Sequence, residues 1–364
     1  MSRPSPFRSV LPSAGAVLET IGGVETAVSF GAADDEARAV RSTVGMADTS
    51  FFDRVEIAGK DRVRFLHGQC TNDIKSLRPG EGCRAALLSP KGKMAADLSI
   101  VCEADRLVAA VEGGRGQALI DRLQRYIVMD DVTVRDVSAA TAPLLLAGPE
   151  ARRMIVQAGG DDPSLLPVFH ARTTTVFGLP VQIVADLWTG EQGYEIRAPA
   201  DRAAALWSGF AALGVRPFGA SAFDLLRIEA GWARFGVDAD EESLPNEALL
   251  DHAISYSKGC YTGQEVVARL KTYGQVAKHM AGFFATAVPI PGARVVDAEG
   301  LEVGRVTSAA VSPTLARPVV LAMIRREALK RESPLFAASA GRTIPLEKTD
   351  LPFVPRRALP ALPS

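Results

Sequence analysis

Between Phe52 and Val137 the spacing of apolar residues changes period several times, and each change predicts a new element. Val55 and Ile57 alternate with polar neighbours, the signature of a strand, whereas from about Lys60 the residues Val63, Leu66 and Cys70 fall on one helical face. Gly82 to Ser89 and Met94 to Cys102 read as two strands joined by Pro90-Lys91-Gly92-Lys93, a hairpin signal. Leu107 to Val111 adds a strand. Leu119, Leu123 and Ile127 then recur at helical spacing, and Asp131 to Val137 alternates again. The order β-α-β-β-α-β, with one extra strand, is a ferredoxin-like plan.

A comparable order returns from Ala142 to Phe218: a strand at Pro143 to Ala147, a helix from Pro149, strands near Thr175, Val181 and Tyr194, and a helix carrying Leu206, Phe210 and Leu213. No residue-level repeat links the two units, so the likeness is architectural. After Gly274 short strands are punctuated by Pro291-Gly292, Glu299-Gly300 and Ser312-Pro313, which predicts a small β-barrel with Ala298-Glu299-Gly300 at a hairpin tip. A helical connector, Ser221 to Tyr273, is expected between the second unit and the barrel. The unusual residues gather there, at a domain junction of the kind that favours ligand clefts.

Composition narrows the function classes. A chain of 364 residues exceeds one ordinary hydrophobic core, so two or three domains are expected. Lys and Arg number 41 against 42 Asp and Glu, which leaves no global field to draw nucleic acid or anionic lipid. No apolar run approaches the roughly 18 to 20 residues that cross a bilayer, so no membrane association is expected. The cysteines at 70, 83, 102 and 260 form no C-x-x-C pair and the four histidines are scattered, which argues against a zinc site and for a reducing, cytoplasmic setting. The first eighteen residues hold Arg3 and Arg8 and no acid, but Pro4, Pro6 and Pro12 favour a frayed terminus over a targeting signal.

The chemistry concentrates in KGCYTGQE, Lys258 to Glu265. Thr262 and Glu265 fit a capping box, with Val266, Val267 and Leu270 continuing a helix. Cys260 then precedes a helix N-terminus by two residues, and the partial positive charge there, with the Lys258 ammonium, favours thiolate over thiol. A small buried cysteine ahead of a capped helix is the competing reading. Asp97, following the Lys91-Gly92-Lys93 hairpin, lies either on the solvated side of a strand or in an inter-domain cleft, where it can hold a nitrogenous ligand. In WTGEQGYEIRAP, Glu195 faces opposite to Tyr194 and Ile196 and needs water or a donor. A carboxylate accepts two parallel N–H bonds from an aminopyrimidine edge, and an aromatic can stack on the ring. Arg227 and Glu229, two apart on a helix, do not face each other, so Arg227 is free to take a ligand carboxylate. No hydrolase triad and no phosphate-binding glycine motif is present.

KGCYTGQEVVARL at 258 to 270, FLHGQCTNDI at 65 to 74, ALLSPKGKMAADL at 86 to 98, LLRIEAGWARFGVD at 225 to 238 and LPNEA at 244 to 248 resemble the YgfZ family of folate-binding proteins, relatives of the glycine-cleavage T-protein associated with iron-sulfur protein maturation. The first segment carries that family's K-G-C-Y-x-G-Q-E signature in full. The resemblance implies an α+β, three-domain ring of the T-protein type, with two ferredoxin-like units and a small C-terminal barrel. Its domains would be residues 1–48 plus 140–258, split around 49–139, then a connector 259–274 with the cysteine motif and a barrel at 275–364. It implies tetrahydrofolate in a central pocket, with Asp97, Glu195 and Arg227 in folate-contacting segments. It also implies Cys260, supported by Lys258, as a functional thiol serving iron-sulfur client enzymes or assembly proteins. T-proteins commonly show two adjacent acids where this chain has Ala96-Asp97-Leu98, and they lack the cysteine signature. That departure favours a maturation factor, with a folate-dependent aminomethyltransferase or related one-carbon enzyme as the alternative.

Overall fold

The computed structural model of the chain describes residues 2–331 and 333–357. The expected hairpin forms: Gly82–Leu88 pairs antiparallel with Met94–Cys102, placing Gly82 opposite Val101. These two strands begin a five-stranded sheet that continues through Arg106–Val111, Asp53–Ala58 and Thr133–Asp136. The helices Arg62–Gln69 and Gly116–Gln124 cover one face, burying Leu66, Leu119 and Leu123 against Val55, Ile57, Leu98 and Ile100. Because side chains alternate along a strand, Asp97, Ser99 and Val101 point out of the opposite face.

A second sheet runs in the order Ala171–Val176, Leu179–Asp186, Gly193–Pro199, Thr141–Ala147, Gly45–Asp48 and Arg216–Pro217. Gly45–Asp48 comes from the chain before the first sheet, yet it pairs with Thr141–Ala147 on one side and Arg216–Pro217 on the other. All four of its residues are buried, as befits an interior strand. Reading the elements in linear order from Ala142 leaves this strand out. The helices Ala151–Gln157 and Ala203–Ala212 pack on one face of the sheet, where Met154, Ile155, Leu206 and Phe210 meet Leu144, Ile183, Tyr194 and Ile196.

The N-terminal residues differ from the expected frayed end. Arg3–Pro4 pairs in parallel with Val24–Ser29, and Phe7 and Leu11 are fully buried. These two apolar residues lie one turn apart, joined by a hydrogen bond from Leu11 N to Phe7 O of 3.1 Å. Burying both outweighs the breaking tendency of the surrounding prolines.

Six strands close the C-terminal barrel: Lys278–Ala285, Arg317–Arg325, Glu302–Ser312, Arg294–Val296, Leu335–Ser339 and Arg342–Thr349. The connector is less helical than expected. Its first helix, Ala220–Glu229, ends in a Schellman turn, with Gly231 at φ +68° donating to Ile228 O at 2.9 Å and Trp232 donating to Arg227 O at 3.0 Å. Turns and two short 3-10 segments, Pro245–Ala248 and Asp251–Ala253, follow before the second helix, Gln264–Tyr273. Among the described residues no helix is long and apolar enough to cross a membrane.

Candidate functional site

The faces that the helices leave bare come together. Val101 of the first sheet packs on Ala171 and Val184 of the second, and beside this contact a cavity opens between the sheets. It encloses about 730 Å³, its open mouth included, and is lined by Asp97, Ser99 and Arg84 from one side and Val184, Asp186, Glu195 and Arg197 from the other. Phe52, Phe169, Trp188, Phe223 and Phe235 supply aromatic walls. Asp97 and Glu195, expected from sequence as ligand contacts, therefore share one cavity although 98 positions separate them in the chain.

Each carboxylate already has protein donors. Asp97 receives Arg84 Nε at 2.9 Å on one oxygen and Arg84 Nη2 at 2.5 Å on the other. The Arg84 guanidinium also lies over the Trp188 ring at 4.7 Å and the Trp232 ring at 5.4 Å from the centroids. Glu195 accepts from Thr49 Oγ1 at 2.7 Å, Arg54 Nη2 at 2.7 Å and Arg197 Nε at 2.6 Å. Burial alone would raise its pKa, but Arg54 and Arg197 outweigh that effect and hold it down to about 2. Glu195 is thus a fixed anion.

A third carboxylate escaped the sequence reading. Asp186 faces the same cavity, and its Oδ1 accepts the backbone N–H of Trp188 at 2.8 Å. Burial, then the nearby Glu195 charge, push its pKa up to about 7, with the Trp188 hydrogen bond, Arg197 and Arg84 opposing. The signal lay in register: Asp186 is two residues beyond Val184, and Val184 stands directly opposite Glu195.

Arg227 is placed elsewhere. Its guanidinium is buried and donates to Asp224 at 2.7 Å, to Asp238, to Trp232 O at 3.2 Å and to Ser308 at 2.7 Å. These bonds tie the helix Ala220–Glu229 to the barrel strand Glu302–Ser312, and Arg227 does not line the cavity. The expected free arginine is instead a cross-domain fastener.

Cys260 is exposed, whereas Cys70, Cys83 and Cys102 are buried. Its setting differs from the expected capped corner. The helix starts at Gln264 behind Gly263, whose φ of +82° lets the chain turn sharply, and no side chain caps it. Glu265 pairs with Arg269 at 2.5 Å instead of reaching back to Thr262. Lys258 is buried and donates to the carbonyls of His67, Cys70 and Asn72, the last two at 2.7 and 2.9 Å, so its ammonium anchors the loop after the helix Arg62–Gln69. Neither residue lines the inter-sheet cavity.

The cysteine segment nevertheless touches the first sheet. A Cβ on Gly263 would lie 2.6 Å from Ser89 O and 3.2 Å from Gly92 Cα, and one on Gly92 would lie 2.8 Å from Val266 Cβ. The two glycines interlock the 89–93 hairpin with the start of the helix Gln264–Tyr273. Outside the inter-sheet cavity a second cleft runs from Arg84 and Phe169 to Ser255, Tyr256 and Ser257, close to the cysteine segment.

Comparison with known proteins agrees with this architecture. The sequence profile of the GCVT N-terminal domain matches residues 7–258, and that of the glycine cleavage T-protein C-terminal barrel domain matches residues 278–355. The aminomethyltransferase of Prosthecochloris aestuarii is 30% identical over 354 residues, spanning 94% of this chain and 97% of its own. That of Geobacillus kaustophilus is 30% identical over 364 residues, spanning 98% of this chain and 100% of its own. The crystal structure of the glycine cleavage system aminomethyltransferase T from Bartonella henselae has the same fold, with a TM-score of 0.90 over 99% of this chain and 100% of its own at 24% identity.

Proposed function

The chain belongs to the glycine cleavage T-protein family, GCVT, and from that membership we propose that it binds a reduced folate between its two sheets and uses it in one-carbon transfer, as an aminomethyltransferase or a related transferase. The observation that carries this reading is the convergence of Asp97 and Glu195 on one aromatic-walled cavity. The donor set suits the ligand. Carboxylates accept the N–H groups of an aminopyrimidine edge, Arg84 and Arg197 can donate to its oxygen, and Trp188 offers a face for stacking. Tetrahydrofolate, when bound, supplies the nitrogen that accepts a one-carbon unit. Glu195, held ionised by Arg54 and Arg197, would orient the ring without changing charge. Asp97, steadied by Arg84, would position the reacting end. We propose as domains the divisions 1–48 plus 140–258, 49–139, 259–274 and 275–364.

Calorimetric titration with tetrahydrofolate tests the binding step, and incubation with tetrahydrofolate and an aminomethylated lipoyl carrier tests the transfer. Binding in the micromolar range with release of ammonia and methylene-tetrahydrofolate is expected. Binding without product would reject the transferase reading, and absence of binding would reject both.

One observation favours a second use of the same folate, the iron-sulfur maturation role of YgfZ-type proteins. Cys260 alone among the cysteines reaches the surface, within the K-G-C-Y-x-G-Q-E segment. In this reading the folate is bound in the same cavity while the thiol meets iron-sulfur client enzymes or assembly proteins. Complementation of a deletion strain decides it: Cys260→Ser that restores client-enzyme activity as fully as the wild type would exclude the thiol.

A further inference from the structure

We infer that Asp186 is the proton-exchanging residue of the inter-sheet cavity, taking up a proton when an uncharged ring system fills the cavity and donating it as an O–H hydrogen bond to an acceptor atom of that ring. The inference rests on the reading that a reduced folate binds there.

The geometry comes from the register of two neighbouring strands. Leu179–Asp186 and Gly193–Pro199 pair with Asp186 opposite Gly193, Val184 opposite Glu195 and Gln182 opposite Arg197. Alternation puts all six on one face. Gly193 carries no side chain, so nothing on the partner strand covers the Asp186 carboxyl from that side. Its one hydrogen bond among the described residues is the 2.8 Å bond from Trp188 N to Oδ1, which leaves Oδ2 for the cavity.

The surrounding charges decide which carboxyl moves a proton. Facing Asp186 are Glu195 and Arg197 on the adjacent strand, and Arg84 and Asp97 across the cavity. Glu112, also in the lining, is paired with Arg234. Arg197 and Arg54 are already engaged by Glu195, and Arg84 by Asp97 through both oxygens. Among the described residues no cation forms an ion pair with Asp186. Its carboxyl is poised near neutrality, where burial and the Glu195 charge set it. A neutral ring entering the cavity expels the remaining water, strengthens the repulsion from Glu195 and drives the acid to its protonated form. The pyrimidinone oxygen of a pterin is an acceptor of the required kind.

The linkage has a definite sign. Ligand binding that raises the pKa of an acid is strongest at low pH and weakens as pH rises through the free-state value. The test is calorimetric titration with 5-formyltetrahydrofolate in buffers of different ionisation enthalpy between pH 6 and 9, on wild type and Asp186→Asn. Close to one proton should be taken up per ligand at pH 8, and the affinity should fall about tenfold per pH unit above neutrality. Asp186→Asn, a permanently neutral donor, should bind without proton uptake and with a flat pH profile. Uptake of no proton by the wild type, release of one, or an unchanged slope in the variant would overturn the inference while leaving folate binding intact. An absence of binding by the wild type would reject both. Carbon-13 spectra of the ligand-free protein labelled at aspartate supply an independent readout. One carboxyl should titrate near pH 7 in the wild type and vanish in Asp186→Asn, and its presence in the variant would assign the proton elsewhere.

Discussion

Arg54 and Glu195 stand 141 residues apart in the chain and meet at 2.7 Å across the boundary between the two sheets, both nearly without solvent. The pair fastens the five-stranded sheet to the six-stranded one at the wall of the cavity. Replacing Glu195 by Gln leaves the Arg54 guanidinium buried beside Arg197 with no countercharge, a defect that costs about 3–5 kcal/mol in other buried pairs. Thermal melting should show the loss at neutral pH. The pH dependence has a definite sign as well. The Glu195 carboxyl is held at about 2, below its ordinary 4.5, so the stability it contributes is present above pH 4.5 and lost as pH falls toward 2. The Gln variant should therefore show a shallower decline across that window.

Lys258 and Cys260 are neighbours in the same segment with opposite structural weight. Lys258→Met removes the donor to the His67 carbonyl in the last turn of the helix Arg62–Gln69 and to the Cys70 and Asn72 carbonyls just after it, and should destabilise the protein by about 3 kcal/mol. Cys260→Ala, at an exposed position, should change stability by less than about 0.5 kcal/mol. Urea unfolding of the two variants checks both expectations. Equal losses would contradict the division of roles.

Thiol counting separates Cys260 from the others. Burial pushes the Cys70 thiol up to about 11, raises Cys83 further and raises Cys102 as well. An aromatic disulfide reagent should modify one thiol quickly in the folded protein, none in Cys260→Ser, and four in the wild type after denaturation.

His252 contributes a pH dependence of its own. Its ring packs edge-on against Trp232 at 5.4 Å between centroids, and its buried Nε2 has no hydrogen-bond partner among the described residues. Burial, helped by the Arg84 charge, lowers its pKa to about 4 from 6.5. The unfolded chain therefore binds a proton that the folded chain refuses. The His252 contribution to stability should fall as pH drops from 6.5 to 4, by up to about 1.4 kcal/mol per pH unit. The raised Asp186 carboxyl slopes the opposite way over the same window, so denaturant titrations should show the His252 effect as the difference between Asp186→Asn and the double variant Asp186→Asn, His252→Asn.

Local periodicity carried much of the fold into the sequence. The 82–102 hairpin, the faces of Leu66 and Leu119, and the placing of Tyr194 and Ile196 opposite Glu195 all follow from spacing. The pairing of Arg84 with Asp97 was also within reach. A hairpin turn at 89–93 sets Arg84 opposite Ser99 and Ala86 opposite Asp97, a diagonal that long side chains span. What spacing could not convey were contacts made by segments remote in the chain. Gly45–Asp48 has too few residues to announce itself as an interior strand, and Arg54 gives no sign of meeting Glu195. Arg227 looked available because a helix pattern says nothing about the barrel strand that covers it. Thr262 and Glu265 satisfied a capping pattern, yet the chain turned through Gly263 because that glycine abuts the hairpin backbone.

That contact joins two parts of the molecule that would otherwise report separately. Gly92 ends the turn leading into the strand that carries Asp97, and Gly263 begins the turn leading out of the loop that carries Cys260. Gly263 lies against the Ser89 carbonyl and the Gly92 backbone, and Gly92 lies against the stiff, β-branched Val266 side chain, so little in the contact can absorb a displacement. A tilt of the hairpin should therefore be passed to the thiol-bearing loop, so the meshed turns would act as a stiff linkage from the inter-sheet cavity to the outer surface.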